Sequence, residues 1–244
     1  MIRRIWSQVF IFGLVQNPIY LETKNYMSIE VLTKKERDKL SAGDVISRLK
    51  KGNLRYADLN NDDSDSFHKR LEETAQGQFP CAIVLGCIDS RVPAEIIFDQ
   101  SIGDVFNVRV AGNVLSPDVL GSIEYACALS GVKLIVVLGH TECGAVKGAC
   151  ADVELGNLTG LLEKIKPAVK MVRAENHEFI ISSESHFNEA VSKQNVFNVM
   201  ENVYKESPVL AEKLRNREIE MVGAMYHVAN GLVEFYAPKK PKFV

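Results

Sequence analysis

Two short segments of this 244-residue chain carry side chains of the types that bind transition metals. The first contains Cys87, and the second contains His140 and Cys143. Two thiolates and an imidazole suit zinc, and three protein ligands are the number found in a catalytic zinc site that leaves its fourth position to water. The alternative interpretation is that both cysteines are buried thiols and that His140 is a loop histidine with ordinary hydrogen bonds.

A carboxylate and a guanidinium closely follow the first candidate ligand. Asp89 lies two residues after Cys87, and Arg91 lies two residues after Asp89. A carboxylate at this spacing can bind the metal or accept a hydrogen bond from metal-bound water, and an arginine can hold it ionised in a bidentate pair. The alternative is a surface salt bridge that contributes little energy.

The candidate residues are placed by short apolar segments that have the length of buried strands. These segments are residues 81–85, 104–110 and 132–138, and a segment of helical character follows each of them. Parallel strands need such crossover connections, and ligands bind outside the carboxyl ends of parallel strands. We therefore predict an α/β fold with a central, mostly parallel β-sheet and covering helices, in which the candidate residues meet at one edge.

The two ends of the chain complete the predicted architecture. Residues 30–59 have apolar side chains at helical spacing, which predicts an N-terminal helical arm, and residues 158–215 indicate two or three further helices. Ala229-Asn230-Gly231 separates the apolar segments 219–225 and 232–236. An Asn-Gly pair between such segments predicts a C-terminal β-hairpin.

Composition indicates a globular protein that acts on a small molecule. The chain is 46% hydrophobic and 25% charged, with a net charge of −2. Without a long basic segment or a run of 18 apolar residues, we expect no nucleic acid partner and no membrane span. Five cysteines, an odd number in a chain too large to need a disulfide framework, favour a reducing compartment, and we predict the cytoplasm.

Residues 1–26 faintly resemble a signal peptide. Arg3 and Arg4 precede an apolar stretch, but no small-residue cleavage site follows it. We interpret residues 1–26 as an N-terminal extension, or as the result of a translation start assigned upstream of the natural one at Met27. A single domain over residues 27–244 follows. The alternative is export, if residues 1–26 act as a signal.

Three segments together resemble the signature segments of the β-class carbonic anhydrases. They are Gly86–Pro93 (GCIDSRVP), Val108–Asn113 (VRVAGN) and Leu138–Ala145 (LGHTECGA). The resemblance extends in order from about Asn53 to Tyr236. It covers most of the chain and leaves the N-terminal residues outside it.

The resemblance implies one zinc ion per chain, held by Cys87, His140 and Cys143. It implies reversible hydration of carbon dioxide to bicarbonate and a proton through zinc-bound hydroxide, with Asp89 and Arg91 orienting the nucleophile. A related hydrolase of another small heterocumulene, such as carbon disulfide, remains an alternative. So does a non-catalytic zinc or bicarbonate-binding module in which Asp89 permanently closes the fourth metal position.

The resemblance also implies a substrate pocket and an oligomer. The family's pocket maps by position onto Gln78, Phe106, Ala111, Tyr125 and Gly144, with Gln78 as an amide donor to a substrate oxygen. The alternative for Phe106, Ala111 and Tyr125 is packing, and Gly144 could instead allow close backbone approach. In members of the family, the positions equivalent to Gln78 and Tyr125 lie near the subunit interface. The resemblance therefore predicts a homodimer or homotetramer.

One departure bears on regulation of the metal site. Bicarbonate-regulated members of the family have a Trp three residues before the first cysteine ligand, where it forms an anion pocket with an Arg. This chain has Val84 at that position, although Arg109 is present. We therefore expect an open site in which Asp89 pairs with Arg91 and does not bind the metal.

Overall fold

The computed structural model describes residues 32–58, 66–174 and 183–236. The predicted extension, residues 1–26, lies outside the described residues. That residues 27–244 form one domain stays a prediction.

One five-stranded sheet lies at the centre of the fold, with the strand order β2-β1-β3-β4-β5. The strands are β1 (Ala82–Gly86), β2 (Val105–Arg109), β3 (Leu134–His140), β4 (Glu220–Tyr226) and β5 (Val233–Phe235). The first four are parallel and β5 is antiparallel to β4, which confirms the mostly parallel sheet. Strands β1 and β3 are buried along their whole length, as expected for central strands covered on both faces.

Helices cover both faces of this sheet. They are α1 (Lys34–Lys39), α2 (Ala42–Ala57), α3 (Ser66–Thr74), α4 (Ala94–Ile97), α5 (Pro117–Glu124), α6 (Gly144–Cys150), α7 (Gly156–Leu162), α8 (Lys166–Ala174), α9 (Glu184–Glu206) and α10 (Pro208–Arg215). A π-helical turn, Tyr125–Leu129, continues α5. The predicted N-terminal helical arm, residues 30–59, corresponds to α1 and α2, and α3 lies beyond it. The segment after residue 158 contains more helices than expected, because α7 ends and α8 begins at a buried turn around Ile165.

Alternating side chains of β1 tie the two layers of helices together. Ile83 and Leu85 pack into one hydrophobic cluster with α5 and α9, whereas Ala82 and Val84 pack into another with α2 and α4. This alternation follows from the two-residue period of a strand. Because both faces are covered, the carboxyl edge of the sheet is the natural place for a ligand site.

The predicted C-terminal hairpin is present between β4 and β5. The His227 N–H donates to the Leu232 carbonyl (2.8 Å), and Gly231 has a φ of 75°, which favours glycine. Asn53 of α2 holds this loop, because its Nδ2 donates to the Gly231 carbonyl (2.8 Å) and its Oδ1 accepts from the Val233 N–H (2.8 Å). The N-terminal arm and the hairpin therefore support each other.

Within the described ranges, the structure contains no helix of the length and apolarity that a bilayer crossing requires.

Candidate active site

The carboxyl edge of the sheet brings the three predicted metal ligands together. Cys87 directly follows β1, His140 is the last residue of β3, and Cys143 lies immediately before α6. The Sγ atoms of Cys87 and Cys143 are 4.0 Å apart, and the donor atoms of all three residues lie within 4.8 Å of one another. All three side chains are buried. Parallel pairing of β1 with β3 explains why residues so distant in sequence converge.

The donor atoms fit a zinc ion. In a tetrahedral site with Zn–S bonds of about 2.3 Å and Zn–N bonds of about 2.0 Å, neighbouring donor atoms are about 3.5 to 3.8 Å apart. His140 Nδ1 lies 2.8 Å from the Thr141 carbonyl oxygen, so Nδ1 carries the proton and Nε2 carries the lone pair. This Nε2 is buried and has no hydrogen-bond partner among the described residues. A buried lone pair beside two sulfur atoms is the environment that a metal ion would complete.

The two thiols of this cluster share a proton. Donation from the Cys143 thiol stabilises the Cys87 thiolate, which lowers the pKa of Cys87 and raises the pKa of Cys143. The Gly112 N–H also donates to Cys87 Sγ, at 3.4 Å. This pairing favours formation of one thiolate, and binding of a metal by both sulfur atoms would release the thiol protons.

Asp89 and Arg91 form the bidentate pair that their spacing predicts. Arg91 Nε donates to Asp89 Oδ1 (2.9 Å), and Arg91 Nη2 donates to Oδ2 (2.7 Å). The hydrogen bonds from Arg91 hold the pKa of the Asp89 carboxyl well below its usual range. Arg91 Nη2 also donates to the Glu142 carbonyl (3.3 Å), which links the Cys87 loop to the loop between His140 and Cys143. Asp89 is therefore ionised and fixed beside the cluster.

Arg109 holds the main chain of the Cys87 loop, a role that the sequence analysis missed. It is the last residue of β2 and pairs with Gly86 in the parallel register. Its Nε donates to the Cys87 carbonyl (2.9 Å), and its Nη2 donates to the Asp89 carbonyl (2.6 Å). The available signal was its position at a strand end, since neighbouring parallel strands end together.

Two of the predicted pocket residues lie at the same edge as the cluster. Ala111 is in the 3-10 turn that follows β2, next to Gly112, and Gly144 directly follows Cys143. A Cβ atom placed on Gly144 would have no described heavy atom within 4 Å. Close backbone packing inside one chain therefore does not explain this glycine, and the space beside it is open.

The other three predicted pocket residues lie toward the opposite, amino edge of the sheet. Gln78 precedes β1 and lines a surface pocket with Ile102 and Gly103, which precede β2. Phe106 is the second residue of β2, and its ring contacts that of Tyr125 edge-to-face with centroids 6.3 Å apart. A five-residue strand such as β1 spans about 16 Å. One chain therefore does not bring Gln78 and Tyr125 to the metal cluster.

The remaining cysteines lie outside the cluster. Cys81 and Cys127 are buried in hydrophobic clusters, and Cys150 packs at the margin of a third. Burial raises the pKa of Cys81 to about 11, of Cys127 to about 12 and of Cys150 to about 11. These thiols are protonated near neutral pH, whereas hydrogen bonding within the cluster lowers the pKa of Cys87. All five cysteines are free of disulfides.

Comparisons with known proteins agree with this geometry. The carbonic anhydrase family model matches residues 82–233. A carbonic anhydrase of Mycolicibacterium smegmatis is 39% identical over 193 residues, which cover 76% of this chain and 89% of that relative. Carbonic anhydrase 2 of Mycobacterium tuberculosis is 39% identical over 190 residues, covering 75% and 87%.

Solved structures show the same fold. A crystal structure of the tetrameric β-carbonic anhydrases of Sordaria macrospora matches with a TM-score of 0.64 and 28% sequence identity, and the match covers 80% of this chain and 98% of that chain. The β-carbonic anhydrase CafA of Aspergillus fumigatus matches with a TM-score of 0.65 and 26% identity, covering 82% and 92%. The chain belongs to the β-class carbonic anhydrases, a family of enzymes.

Proposed function

We propose that this chain catalyses the reversible hydration of carbon dioxide to bicarbonate and a proton, with one zinc ion held by Cys87, His140 and Cys143. The observation that carries the proposal is the buried cluster of three donors with an ionised, bidentate Asp89–Arg91 pair beside it. Membership of the carbonic anhydrase family supports the reaction, and the unpartnered Nε2 of His140 supports the metal.

A zinc ion held by these residues would make hydroxide available near neutral pH, because the pKa of water falls from 15.7 to about 7 on such a metal. The protein's contribution is to orient that nucleophile. Asp89 Oδ1 accepts from both the Nε and the main-chain N–H of Arg91, whereas Oδ2 accepts only from Arg91 Nη2 among the described hydrogen bonds. Oδ2 therefore retains an acceptor site for the O–H of the nucleophile, which directs the oxygen lone pair toward carbon dioxide.

Arg91 acts through Asp89. Its three hydrogen bonds to the carboxylate keep that group ionised, so that Asp89 accepts a hydrogen bond and does not donate one. Its further bond to the Glu142 carbonyl fixes the carboxylate relative to His140 and Cys143. Arg109 holds the main chain of the same loop by donating hydrogen bonds to the Cys87 and Asp89 carbonyls.

We propose that a second copy of the chain completes the substrate pocket, in a homodimer or homotetramer. Gly144 leaves open space at the same edge as Ala111 and the cluster, but Gln78, Phe106 and Tyr125 lie toward the other edge of the sheet. The side chain of Tyr125 is 55% exposed, which leaves it available to a neighbouring subunit. The related S. macrospora enzymes are tetrameric, which supports this assembly.

The five free cysteines support a reducing compartment, and we propose the cytoplasm. The 4.0 Å separation of the Cys87 and Cys143 sulfur atoms would allow a disulfide to form in place of the metal site under oxidising conditions. A reducing environment keeps both thiols available to the metal.

A stopped-flow assay of carbon dioxide hydration, with zinc quantified on the same sample, tests the proposal. We expect one zinc per chain and hydration far above the uncatalysed rate. Hydrolysis of carbon disulfide without hydration of carbon dioxide would show that carbon dioxide is not the substrate. Bound zinc without either activity would indicate a non-catalytic binding module. A protein without zinc but with full activity would remove the metal from the proposal.

A further inference from the structure

A buried asparagine of α9 forms a hydrogen bond with a residue that contacts one of the candidate metal ligands. Asn195 lies in the middle of α9 and is only 1% exposed. Its Nδ2 donates to the Gly112 carbonyl at 2.9 Å. An amide buried this deeply is costly unless it is hydrogen-bonded, so its place in the core is tied to this contact.

Gly112 connects Asn195 to the cluster. The Gly112 N–H donates to Cys87 Sγ at 3.4 Å, and the same residue therefore accepts from Asn195 on one side and donates to a candidate ligand on the other. These two bonds use the peptide groups on either side of the Gly112 Cα. Glycine has access to more backbone conformations than other residues, and a hydrogen bond that fixes the Gly112 carbonyl reduces the conformations in which its N–H would turn away from Cys87 Sγ.

The surroundings of Gly112 reinforce this restraint. Gly112 has a φ of 66°, a conformation that favours glycine, and a Cβ atom there would lie 2.6 Å from Ile165 Cδ1. The turn is closed by a hydrogen bond from the Asn113 N–H to the Val110 carbonyl (2.9 Å). Position 112 therefore has no room for a side chain, and the backbone of Gly112 is held in one conformation by its neighbours.

We propose that Asn195 is a positioning residue of the metal centre, acting through Gly112 on the thiolate of Cys87. The inference rests on the proposed function, since it assigns Cys87 to a bound metal. A hydrogen bond to a thiolate ligand withdraws charge from the sulfur and fixes its direction, and such outer contacts tune metal affinity. Asn195 thereby sets how strongly Cys87 donates to the metal.

Substitution of Asn195 in the full-length protein loaded with cobalt(II) tests the proposal. Asn195→Leu keeps a similar volume and removes the donor, while Asn195→Ala also opens a cavity. In both variants we expect metal release to a chelator to be about 10- to 100-fold faster, with a shifted thiolate-to-cobalt absorption band. Asn198→Leu is the matched control on the same helix, because Asn198 accepts from Gln194 and should leave both measurements unchanged.

The outcomes separate this inference from the proposed function. Absence of thiolate-to-cobalt absorption in the wild-type protein would overturn the metal site itself. Wild-type absorption that is unchanged in both Asn195 variants, with unchanged metal release, would overturn the role of Asn195 and leave a structural residue.

Should the variants not fold, the wild-type protein loaded with an NMR-active cadmium isotope provides a second measurement. We expect a scalar coupling between cadmium and the Gly112 amide proton, transmitted through Cys87 Sγ. Its absence would contradict the proposed path from Gly112 to the metal.

Discussion

The two ends of strand β1 carry the same residue type in different surroundings. Cys81 precedes the strand and Cys87 follows it, and their exposed fractions are 0% and 4%. Cys81 donates a hydrogen bond to the Asp104 carbonyl (3.4 Å) and burial raises its pKa, whereas the contacts with Cys143 and the Gly112 N–H lower the pKa of Cys87. Burial alone therefore does not make a metal ligand, because the neighbouring donors decide the charge of the sulfur.

The carboxyl and amino edges of the sheet differ in how many of the candidate site residues they bring together. At the carboxyl edge, the cluster, the Asp89–Arg91 pair and the Arg109 clamp all come from one chain. At the amino edge, Gln78 and Tyr125 are exposed and lie apart from any metal-type cluster among the described residues. The comparison supports the proposals that one chain holds the metal and that a second copy completes the substrate pocket.

The largest expected difference is between cysteine replacements at the two edges, measured as zinc content and as the rate of carbon dioxide hydration. We expect Cys143→Ser to lose zinc and to fall to the uncatalysed rate, because a hard alcohol is a poor zinc ligand. Cys81→Ala, at the other edge, should keep both. Atomic emission and stopped-flow kinetics measure the two properties, and full zinc content in Cys143→Ser would remove this cysteine from the ligand set.

Replacement of Asp89 should separate catalysis from metal binding at the carboxyl edge. We expect Asp89→Asn to retain zinc and to lower kcat/KM about 100-fold, because the single amide oxygen is needed at the Oδ1 position, where Arg91 donates twice, and an NH₂ donor then replaces the Oδ2 acceptor. Asp118→Asn, an exposed aspartate in the first turn of α5, is the control. Unchanged kinetics in Asp89→Asn would show that Asp89 is only a partner of Arg91.

Mixing of two defective chains tests whether the amino edge serves a neighbouring subunit. We expect Gln78→Ala to lower kcat/KM about tenfold by loss of a hydrogen bond to the substrate, and Gln76→Ala to have little effect. When Gln78→Ala chains are reassembled with Cys143→Ser chains, the metal-containing subunits should regain activity from the intact Gln78 of their neighbours. A fully active monomer in sedimentation experiments would contradict the shared site.

The smallest expected effect concerns the thiol at the amino edge. Burial raises the pKa of Cys81 to about 11, while an unfolded cysteine titrates near about 8.5. The unfolded state therefore loses this proton first as pH rises, and stability present below about pH 8.5 is lost up to about pH 11.

Between about pH 8 and about pH 10, the free energy of unfolding of the wild type should fall about 2 kcal/mol more than that of Cys81→Ala. Urea unfolding at each pH measures the difference. Parallel pH profiles for the two proteins would show that the thiol does not titrate differently on folding.

The local features of this protein could be predicted from its amino-acid sequence. Apolar segments of strand length predicted β1, β2 and β3, and Asn230-Gly231 predicted the hairpin, because each depends on neighbouring residues. The Asp89–Arg91 pair, two residues apart, was predictable for the same reason.

The tertiary structure decided which distant residues support those features. Strand β3 extends to His140, beyond the predicted end at residue 138, because His140 pairs with Tyr226 of β4. Asn195 reaches Gly112 across 83 positions. The placement of Gln78 away from the cluster likewise follows from strand direction. Contacts of this kind depend on how helices and strands pack, and they leave no periodic pattern in the sequence around either partner.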